Sequence, residues 1–296
     1  MSMDGNIYFR PAESQVRADN FQSYWTHINT TSGALDEAAR DLSIKSARLQ
    51  DFASSVPHLS LNVEEQAWFE RNAMHCQDNL GKADRKLLLL TCIYKFARHE
   101  LLGIQGAWDV TPGLSQCRQL TDRISRMHLA EEFCHVRLFE LMLRTSGIEH
   151  LENPPASPLI SNIYRFFAWL PETLMAPLAF VTELMGMVFY IHLHRLFGDI
   201  YADQPEHCQH LRLMLEEIMV DELAHVGQRR NYLGTVGMKF SGMMLEPVIR
   251  MFFRDIPEIS HLFDVDQMVG DARQFSLAMV DPGIVQRSWI PSYCQA

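Results

Sequence analysis

Four long segments without internal clusters of glycine and proline decide the fold class. They run from about 83 to 108, 114 to 146, 171 to 197 and 205 to 233, and turn chemistry such as Pro112-Gly113 and the proline-rich stretch 153–158 separates them. Segments of this length with helical periodicity are typical of a bundle. We therefore predict an all-α protein with a four-helix bundle core and additional N- and C-terminal helices.

The flanking regions predict shorter helices. Residues 1–33 are polar and suggest an arm with a short helix, whereas 35–56 and 62–80 show helical patterns, the latter opened by a capping box of Asn62 and Glu65. After Gly234 we expect helices at about 239–254 and 265–280, then an irregular tail at 282–296. One hydrophobic core can take up this length, so we expect a single helical domain over 1–296.

The third segment needs a separate decision because Leu174 to Ile191 is almost entirely apolar. Glu183 lies at its centre, where a charge in lipid costs about 2.5–3.5 kcal/mol. Pro177 weakens the membrane reading further, and a helix that is apolar all round also suits the interior of a large bundle. We expect a buried helix and no membrane partner.

Charge and cysteine usage exclude some classes of partner. The formal net charge is −10 and no run of lysine and arginine occurs, which argues against nucleic acid. The six cysteines form no C-x-x-C pair, and the N-terminus lacks a basic stretch followed by an apolar one. We expect reduced thiols and a cytoplasmic protein.

Two of the long segments contain Glu-x-x-His, as Glu132/His135 and Glu222/His225. Residues three apart on a helix project from the same side, so each pair offers an oxygen and a nitrogen ligand to one point. The spacing alone has a high false-positive rate. A third copy, Glu258 to His261, follows a proline in a polar stretch, and we attribute it to chance.

The other two segments each place one glutamate in an apolar stripe, Glu100 and Glu183. A buried carboxylate without a partner costs several kcal/mol, so a cation or a hydrogen-bond network must receive it. Four glutamates carry about four negative charges, which two divalent metals would neutralise. Oxygen-rich ligation with two histidines favours iron or manganese over zinc.

The order Glu100, Glu132/His135, Glu183, Glu222/His225 resembles the signature of the ferritin-like di-iron carboxylate proteins, over residues 83–235. The resemblance implies that Glu100, Glu132 and His135 serve mainly one metal, and that Glu183, Glu222 and His225 serve the other. Glu131 and Asp221 match family positions that orient the histidine of the facing helix. A solvated helix edge is the alternative for these two acids.

Departures from the family narrow the choice of member. Desaturases usually have arginine before the motif histidine, where this chain has Cys134 and Ala224, and the radical-storing subunit of ribonucleotide reductase would have tyrosine at Phe139. The p-aminobenzoate N-oxygenases are comparable in length, but their additional histidine ligand falls on Ile218 here. His128, one turn before Glu132, is a possible additional ligand or a hydrogen-bonded structural histidine.

The resemblance implies a di-iron monooxygenase that uses O2 to hydroxylate or N-oxygenate a small organic substrate. Two iron ions are the expected cofactor, with manganese or a mixed pair open, and a ferredoxin or reductase is the expected electron donor. Iron storage and desaturation are the alternatives, and a homodimer is one assembly left open. The residues expected to line the pocket are Phe96, Gly103, Phe133, Gly186, Met187, Tyr190 and Ile218.

Overall fold

The computed structural model describes residues 7–10, 12–54, 59–148 and 172–295, with the single positions 151, 162 and 170. The α-helices in these residues are α1 (Ser14–Thr31), α2 (Ser43–Ser54), α3 (Val63–Asn72), α4 (Arg85–Val110), α5 (Leu120–Thr145), α6 (Glu172–Ile200), α7 (Pro205–Asn231), α8 (Thr235–Arg254), α9 (Ile259–Leu262), α10 (Val265–Arg273) and α11 (Pro282–Arg287). Strands β1 (Leu35–Asp36) and β2 (Asp41–Leu42) form an antiparallel hairpin. The expected turn at 153–158 lies outside the described residues.

The four long helices α4 to α7 confirm the all-α prediction and form a helical bundle. α4 packs most extensively against α5 and α6 against α7, and contacts between α5 and α7 join the two pairs. Asp84 caps α4 by accepting hydrogen bonds from the backbone N–H groups of Lys86 and Leu87. α5 begins at Leu120, six residues later than predicted, because the chain after Gly113 first makes a tight turn.

α6 is the one helix of the described residues that is long and apolar enough to cross a membrane. Its most apolar window has a mean hydropathy of 1.8, and 67% of that window is buried inside the protein. A core helix of a bundle shows this pattern when other helices cover it on most sides. α7, α8 and α10 all pack against α6, in line with the buried helix that we predicted.

The N-terminal region departs from the prediction. The arm at 1–33 contains an 18-residue helix, α1, whose buried face is one side chain wide and consists of Asn20, Tyr24 and Ile28. The helix predicted over 35–56 begins only at Ser43, since Asp36 accepts hydrogen bonds from the N–H groups of Ala38 and Ala39 and closes the β1–β2 turn instead. Positions 55 and 56 lie outside the described residues.

The capping box of Asn62 and Glu65 is confirmed at the start of α3, which ends at Asn72 rather than near residue 80. The C-terminal helices begin within a few residues of their predicted starts, but α10 ends at Arg273. The tail expected to be irregular contains α11 and a 3-10 turn at Ser292–Cys294. A continuous set of buried apolar side chains reaches from Tyr8 to Cys294, so both ends of the described chain contribute to the core around the bundle.

Candidate metal centre

The bundle brings three histidines and three glutamates into two overlapping groups that could each hold a metal ion. One group consists of His128, Glu132, Glu183 and His225, and the other of Glu132, His135 and Glu222. Within each group the potential ligand atoms all lie within 4.8 Å of one another. Glu132 belongs to both groups, with Oε1 near His225 and Oε2 near His135, so this residue would help to hold an ion in either group.

The first group takes its ligand atoms from three helices. His128 Nε2 lies 3.3 Å from Glu132 Oε1 and 3.2 Å from Glu183 Oε1, and His225 Nδ1 lies 2.9 Å from Glu132 Oε1. The rings of His128 and His225 are only 3.8 Å apart between centroids. Arg229 reaches Glu183 from outside, with 3.4 Å between Nε and Oε1. Two nitrogens and two carboxylates therefore face a common point.

The second group is smaller and lies on the other side of Glu132. His135 Nδ1 is 3.4 Å from Glu132 Oε2 and 3.1 Å from Glu222 Oε1. Glu222 is thus grouped with His135, whereas the family pattern assigned it mainly to the metal of Glu183 and His225. The geometric reason is that His135 on α5 and Glu222 on α7 face each other across the interface of the two helices.

Glu100 lies next to the second group without joining it. The hydroxyl of Tyr190 donates a hydrogen bond to Glu100 Oε1, and Oε2 is buried without a hydrogen-bond partner. Burial, together with the nearby Glu132 and Glu222, raises the pKa of Glu100 well above its ordinary value. Glu100 is therefore a carboxyl group held beside the centre by a phenol, with one oxygen atom available.

The acids that precede the two motif glutamates support the histidines in a crossed arrangement. His225 Nε2 on α7 lies 2.9 Å from Glu131 Oε2 on α5, and His135 Nε2 on α5 lies 3.1 Å from Asp221 Oδ2 on α7. Both acids are buried, with 3% and 6% of their surface exposed, so the solvated helix edge does not describe them. A carboxylate that accepts from Nε2–H leaves Nδ1 of each ring as the atom that faces the centre.

Two residues outside the predicted core complete this outer layer. Ser32 donates a hydrogen bond to Glu131 Oε1, and Lys45 Nζ contacts Asp221 Oδ1 at 2.5 Å. They flank the β1–β2 hairpin, which arginines on α5 hold in place: Arg137 pairs with Asp41 at 2.7 Å and Arg126 with Glu37 at 2.5 Å. Sequence reasoning missed both, because a lone serine and a lone lysine near a polar turn carry no periodic signal.

Burial and the crowding of like charges lower the pKa of a histidine in the centre and raise the pKa of a glutamate. Burial, aided by the neighbouring His225, lowers the pKa of His128 to about 4, so this ring is neutral at physiological pH. Burial and the adjacent Glu132 raise the pKa of Glu222 to about 8. Burial alone would also raise the pKa of Glu132, but His135 and His225 hold it well below its ordinary value. Protein groups alone therefore leave part of the carboxylate cluster protonated.

The donor set fits a pair of divalent cations. The Nδ1 atoms of His135 and His225 are buried and make no hydrogen bond of acceptable geometry, although carboxylate oxygens surround them. Counting Glu100, the four glutamates and the acids Glu131 and Asp221 face two cationic side chains, Lys45 and Arg229, in the described contacts. With these acids ionised and the imidazoles of His135 and His225 neutral, as metal ligation requires, four negative charges are left, which two divalent ions would balance.

The side chains expected to line a pocket fall into different places. Phe96 and Tyr190 meet edge to face with centroids 5.6 Å apart and share the main core with Met187 and Ile218, whereas Phe133 packs edge to face on Trp108 in a second cluster. A Cβ atom added to Gly186 would lie 3.6 Å from Glu222 Oε2, so this glycine does face the centre. Gly103 is half-buried.

A small pocket leads to His135 from the side of the bundle on which α2 lies. It offers about 20 Å³, room for roughly one water molecule, and passes from Arg48 and Ser46 on α2 to His135 and Asp221. Lys45 and Glu217 also line it. Leu49, Phe52 and Leu138 line it beside the polar groups, and most of its surface is apolar, so its size rather than its polarity restricts it to a molecule as small as water.

No family model, no curated protein and no solved structure matches this chain. The chemistry of the centre therefore follows from its own side chains: buried histidines and glutamates on three helices that could hold metal ions.

Proposed function

We propose that this protein is a ferritin-like, non-haem di-iron oxygenase that oxidises a small organic substrate with O2. The observation that carries the proposal is the sharing of Glu132 between two buried groups of histidine and glutamate side chains. A single structural ion needs one such group, whereas a bridging carboxylate with nitrogen and oxygen donors on both sides suits a pair of metals. The proposed ligands are Glu132, His135, Glu183, Glu222 and His225, with His128 as a sixth. Glu100, which has one oxygen without a hydrogen-bond partner, is an alternative ligand.

The chain's own residues would bind, orient and shield such a pair. When bound, two ferrous ions supply the electrons and the Lewis acidity for reducing dioxygen. Glu131 and Asp221 fix the orientation of the two imidazole rings, and Tyr190 holds Glu100 so that one of its oxygens stays free. The stacked rings of Phe96 and Phe189, 4.2 Å apart, together with Tyr190 keep water from this side of the centre.

The apolar surroundings favour an oxygenase over iron storage. Phe96, Met187, Tyr190 and Ile218 are 0–2% exposed, and Tyr190 contacts Glu100, so a small apolar substrate beside this glutamate would find complementary contacts. The small pocket near Lys45 has room for about one water molecule and would serve for water or protons. We further propose that a ferredoxin-like or reductase-type donor supplies the electrons, since the described residues contain no redox cofactor motif of their own.

Metal stoichiometry is the first test. The purified chain is stripped with a chelator, loaded anaerobically with ferrous iron and analysed for bound metal, and we expect two irons per chain. His225→Ala should lose the first group and bind at most one iron tightly. His192→Ala is the matched control. His192 lies outside the metal centre and pairs with Asp271 at 2.8 Å, so this variant should keep both irons.

Oxygen use is the second test. The loaded protein with a chemical reductant should consume O2, and consumption should rise when a small apolar or aromatic substrate is present and is recovered with one added oxygen atom. Growth of an iron mineral well beyond two irons per chain would instead favour the storage alternative. Full oxygen consumption by the His225→Ala variant would contradict the proposal.

A further inference from the structure

A second cluster of reactive side chains lies where α3 leads into α4, outside the residues assigned to the metal centre. Cys76 Sγ lies 3.0 Å from Lys95 Nζ and 3.3 Å from Glu258 Oε1, and Lys95 Nζ lies 2.5 Å from the same Glu258 oxygen. Glu258 belongs to the third Glu-x-x-His copy, which we attributed to chance. The structure gives this glutamate a partner, Lys95, that sequence spacing could not show.

The three residues differ in their exposure to solvent. Lys95 is 7% exposed and Glu258 is fully buried, whereas Cys76 is exposed and is the one exposed cysteine of the six. Glu258 Oε2 is also buried without a hydrogen-bond partner. A thiol that solvent can reach thus covers a buried amine and carboxylate, with sulfur and nitrogen already in contact.

We propose that Cys76 and Lys95 form a modification site, in which oxidation by a peroxide produces a reversible covalent S–N bond between Sγ and Nζ. The inference is independent of the metal centre. A sulfenic acid condenses readily with a neighbouring nitrogen, and here the nitrogen lies at contact distance before any reaction. The other five cysteines are buried, so an oxidant in solution meets Cys76 first.

The reaction balances with hydrogen peroxide as the oxidant. In the first step the sulfur attacks one peroxide oxygen, the O–O bond breaks, and the thiol proton leaves with the other oxygen, giving Cys76–SOH and water. In the second step Lys95 passes one proton to Glu258, its neutral amine attacks the sulfur, and the S–O bond breaks. The hydroxide leaves as water with a second proton from the nitrogen, so an S–N bond forms and Glu258 ends neutral.

Glu258 explains why the buried amine can react. An ammonium group is no nucleophile, and the carboxylate oxygen 2.5 Å away is the acceptor that can take its proton. After the link forms, Lys95 carries no charge, and a protonated Glu258 avoids a lone buried carboxylate. Partial burial of the sulfur raises the pKa of the Cys76 thiol although Lys95 opposes this, so the link should form more slowly than in dedicated thiol sensors.

The link would fasten the loop before α4 to α4 itself. Residues 73–79 hold few regular backbone hydrogen bonds, and α9 packs against α4 directly beside Lys95. A covalent bond from Cys76 to Lys95 closes a ring of the chain that includes the start of α4. The oxidised protein should therefore resist unfolding and proteolysis of this loop more than the reduced protein does.

Peptide mapping by mass spectrometry, after oxidation of the full-length chain, tests the proposal. The purified protein is treated with hydrogen peroxide, digested and mapped, and we expect a linked pair of peptides that contains Cys76 and Lys95 and has lost two hydrogen atoms. Dithiothreitol should restore both free peptides. A Cys76 that stops at sulfenic, sulfinic or sulfonic acid with Lys95 unmodified, or that forms a disulfide between two chains, would overturn the proposal.

Two variants provide the controls. Cys76→Ser should abolish the link without affecting the fold, because the residue is exposed. Lys95→Arg keeps the charge opposite Glu258 but replaces the amine, so oxidation should stop at the sulfenic acid, which a dimedone probe traps. Circular dichroism verifies that Lys95→Arg is folded, and if it is not, Glu258→Gln, which removes the proton acceptor, should slow the link at least about tenfold. An unchanged rate in Glu258→Gln would contradict the role of the carboxylate.

Discussion

Replacing Lys45 should destabilise the protein far more than replacing its helix neighbour Arg48. Both side chains lie on α2, and both contact a carboxylate of α7 at 2.5 Å, Asp221 for Lys45 and Glu217 for Arg48. The Lys45 pair is buried, with 7% exposure on each side, whereas the Arg48 side chain is 46% exposed. The two pairs therefore have equal length and different burial, which isolates the effect of desolvation.

The magnitude follows from what each substitution leaves behind. Lys45→Met removes the lysine cation from the buried Asp221 carboxylate, which then keeps His135 as a partner, and breaking a buried ion pair in this way typically costs about 3–5 kcal/mol. Arg48→Met removes an exposed ion pair worth about 0–1 kcal/mol, and Glu217 keeps a second partner in Arg287 at 2.5 Å. We expect the free energies of unfolding of the two variants to differ by about 2–4 kcal/mol.

The pH range of this effect is set by the acid. Burial would raise the pKa of Asp221, but Lys45 and His135 hold it well below its ordinary value. A depressed folded-state pKa contributes stability that is present above the unfolded-state value of about 4 and is lost as the pH falls through the folded-state value. The cost of Lys45→Met should therefore be present in full at neutral pH.

Urea unfolding followed by circular dichroism measures the difference, with wild type, Lys45→Met and Arg48→Met in the same buffer after chelation of metals. A third variant, Lys45→Met with Asp221→Asn, removes the lone buried charge and should recover part of the loss. Equal unfolding free energies for Lys45→Met and Arg48→Met would refute the reasoning. The reasoning would also be refuted if adding Asp221→Asn to Lys45→Met destabilised the protein by as much as Asp221→Asn destabilises the wild type.

Three further outcomes are expected. Glu132→Gln, at the residue shared by both groups, should weaken binding of both metals by at least about tenfold in calorimetric titration, whereas Glu183→Gln should weaken mainly one. Because the pKa of Glu222 is raised to about 8 in the metal-free protein, metal binding must displace its proton. Affinity should therefore rise between pH 6 and 8, by about tenfold per pH unit for each proton displaced, and titration in two buffers of different ionisation enthalpy should detect the released protons. Tyr190→Phe should free Glu100 and change the visible spectrum of the cobalt-substituted protein without changing its metal stoichiometry; loss of one metal would show that the phenol is needed for binding itself.

Periodicity on long helices was the part of the site that sequence could predict. Glu132 and His135 must share a helix face, as must Glu222 and His225, and an isolated glutamate in an apolar stripe requires a partner. These rules act within one helix, so they hold before the helices are docked. The grouping of Glu222 with His135 depends on the relative depth of α5 and α7, which no spacing within one helix determines.

Ser32 and Lys45, the outermost residues of the centre, could not be predicted for a similar reason. Ser32 and Lys45 come from a polar segment whose shape depends on Asp36 closing a turn and on Arg126 and Arg137 holding the hairpin from α5. α1 was underestimated because only one side chain per turn faces the core. Helices whose stability comes from tertiary contacts carry a weak pattern of their own.

The crossed arrangement of acids and histidines ties metal binding to the docking of α5 and α7. Neither helix holds its own histidine: Glu131 on α5 orients His225 on α7, and Asp221 on α7 orients His135 on α5. A local opening of the α5–α7 interface would release both rings from their acids at once, and so would weaken both metal groups together. Binding energy at the centre is therefore also docking energy for the two helices, and metal loading should protect their amides from hydrogen exchange as one cooperative unit. Protection confined to one of the two helices would mean that each histidine is oriented within its own helix, contrary to the contacts described.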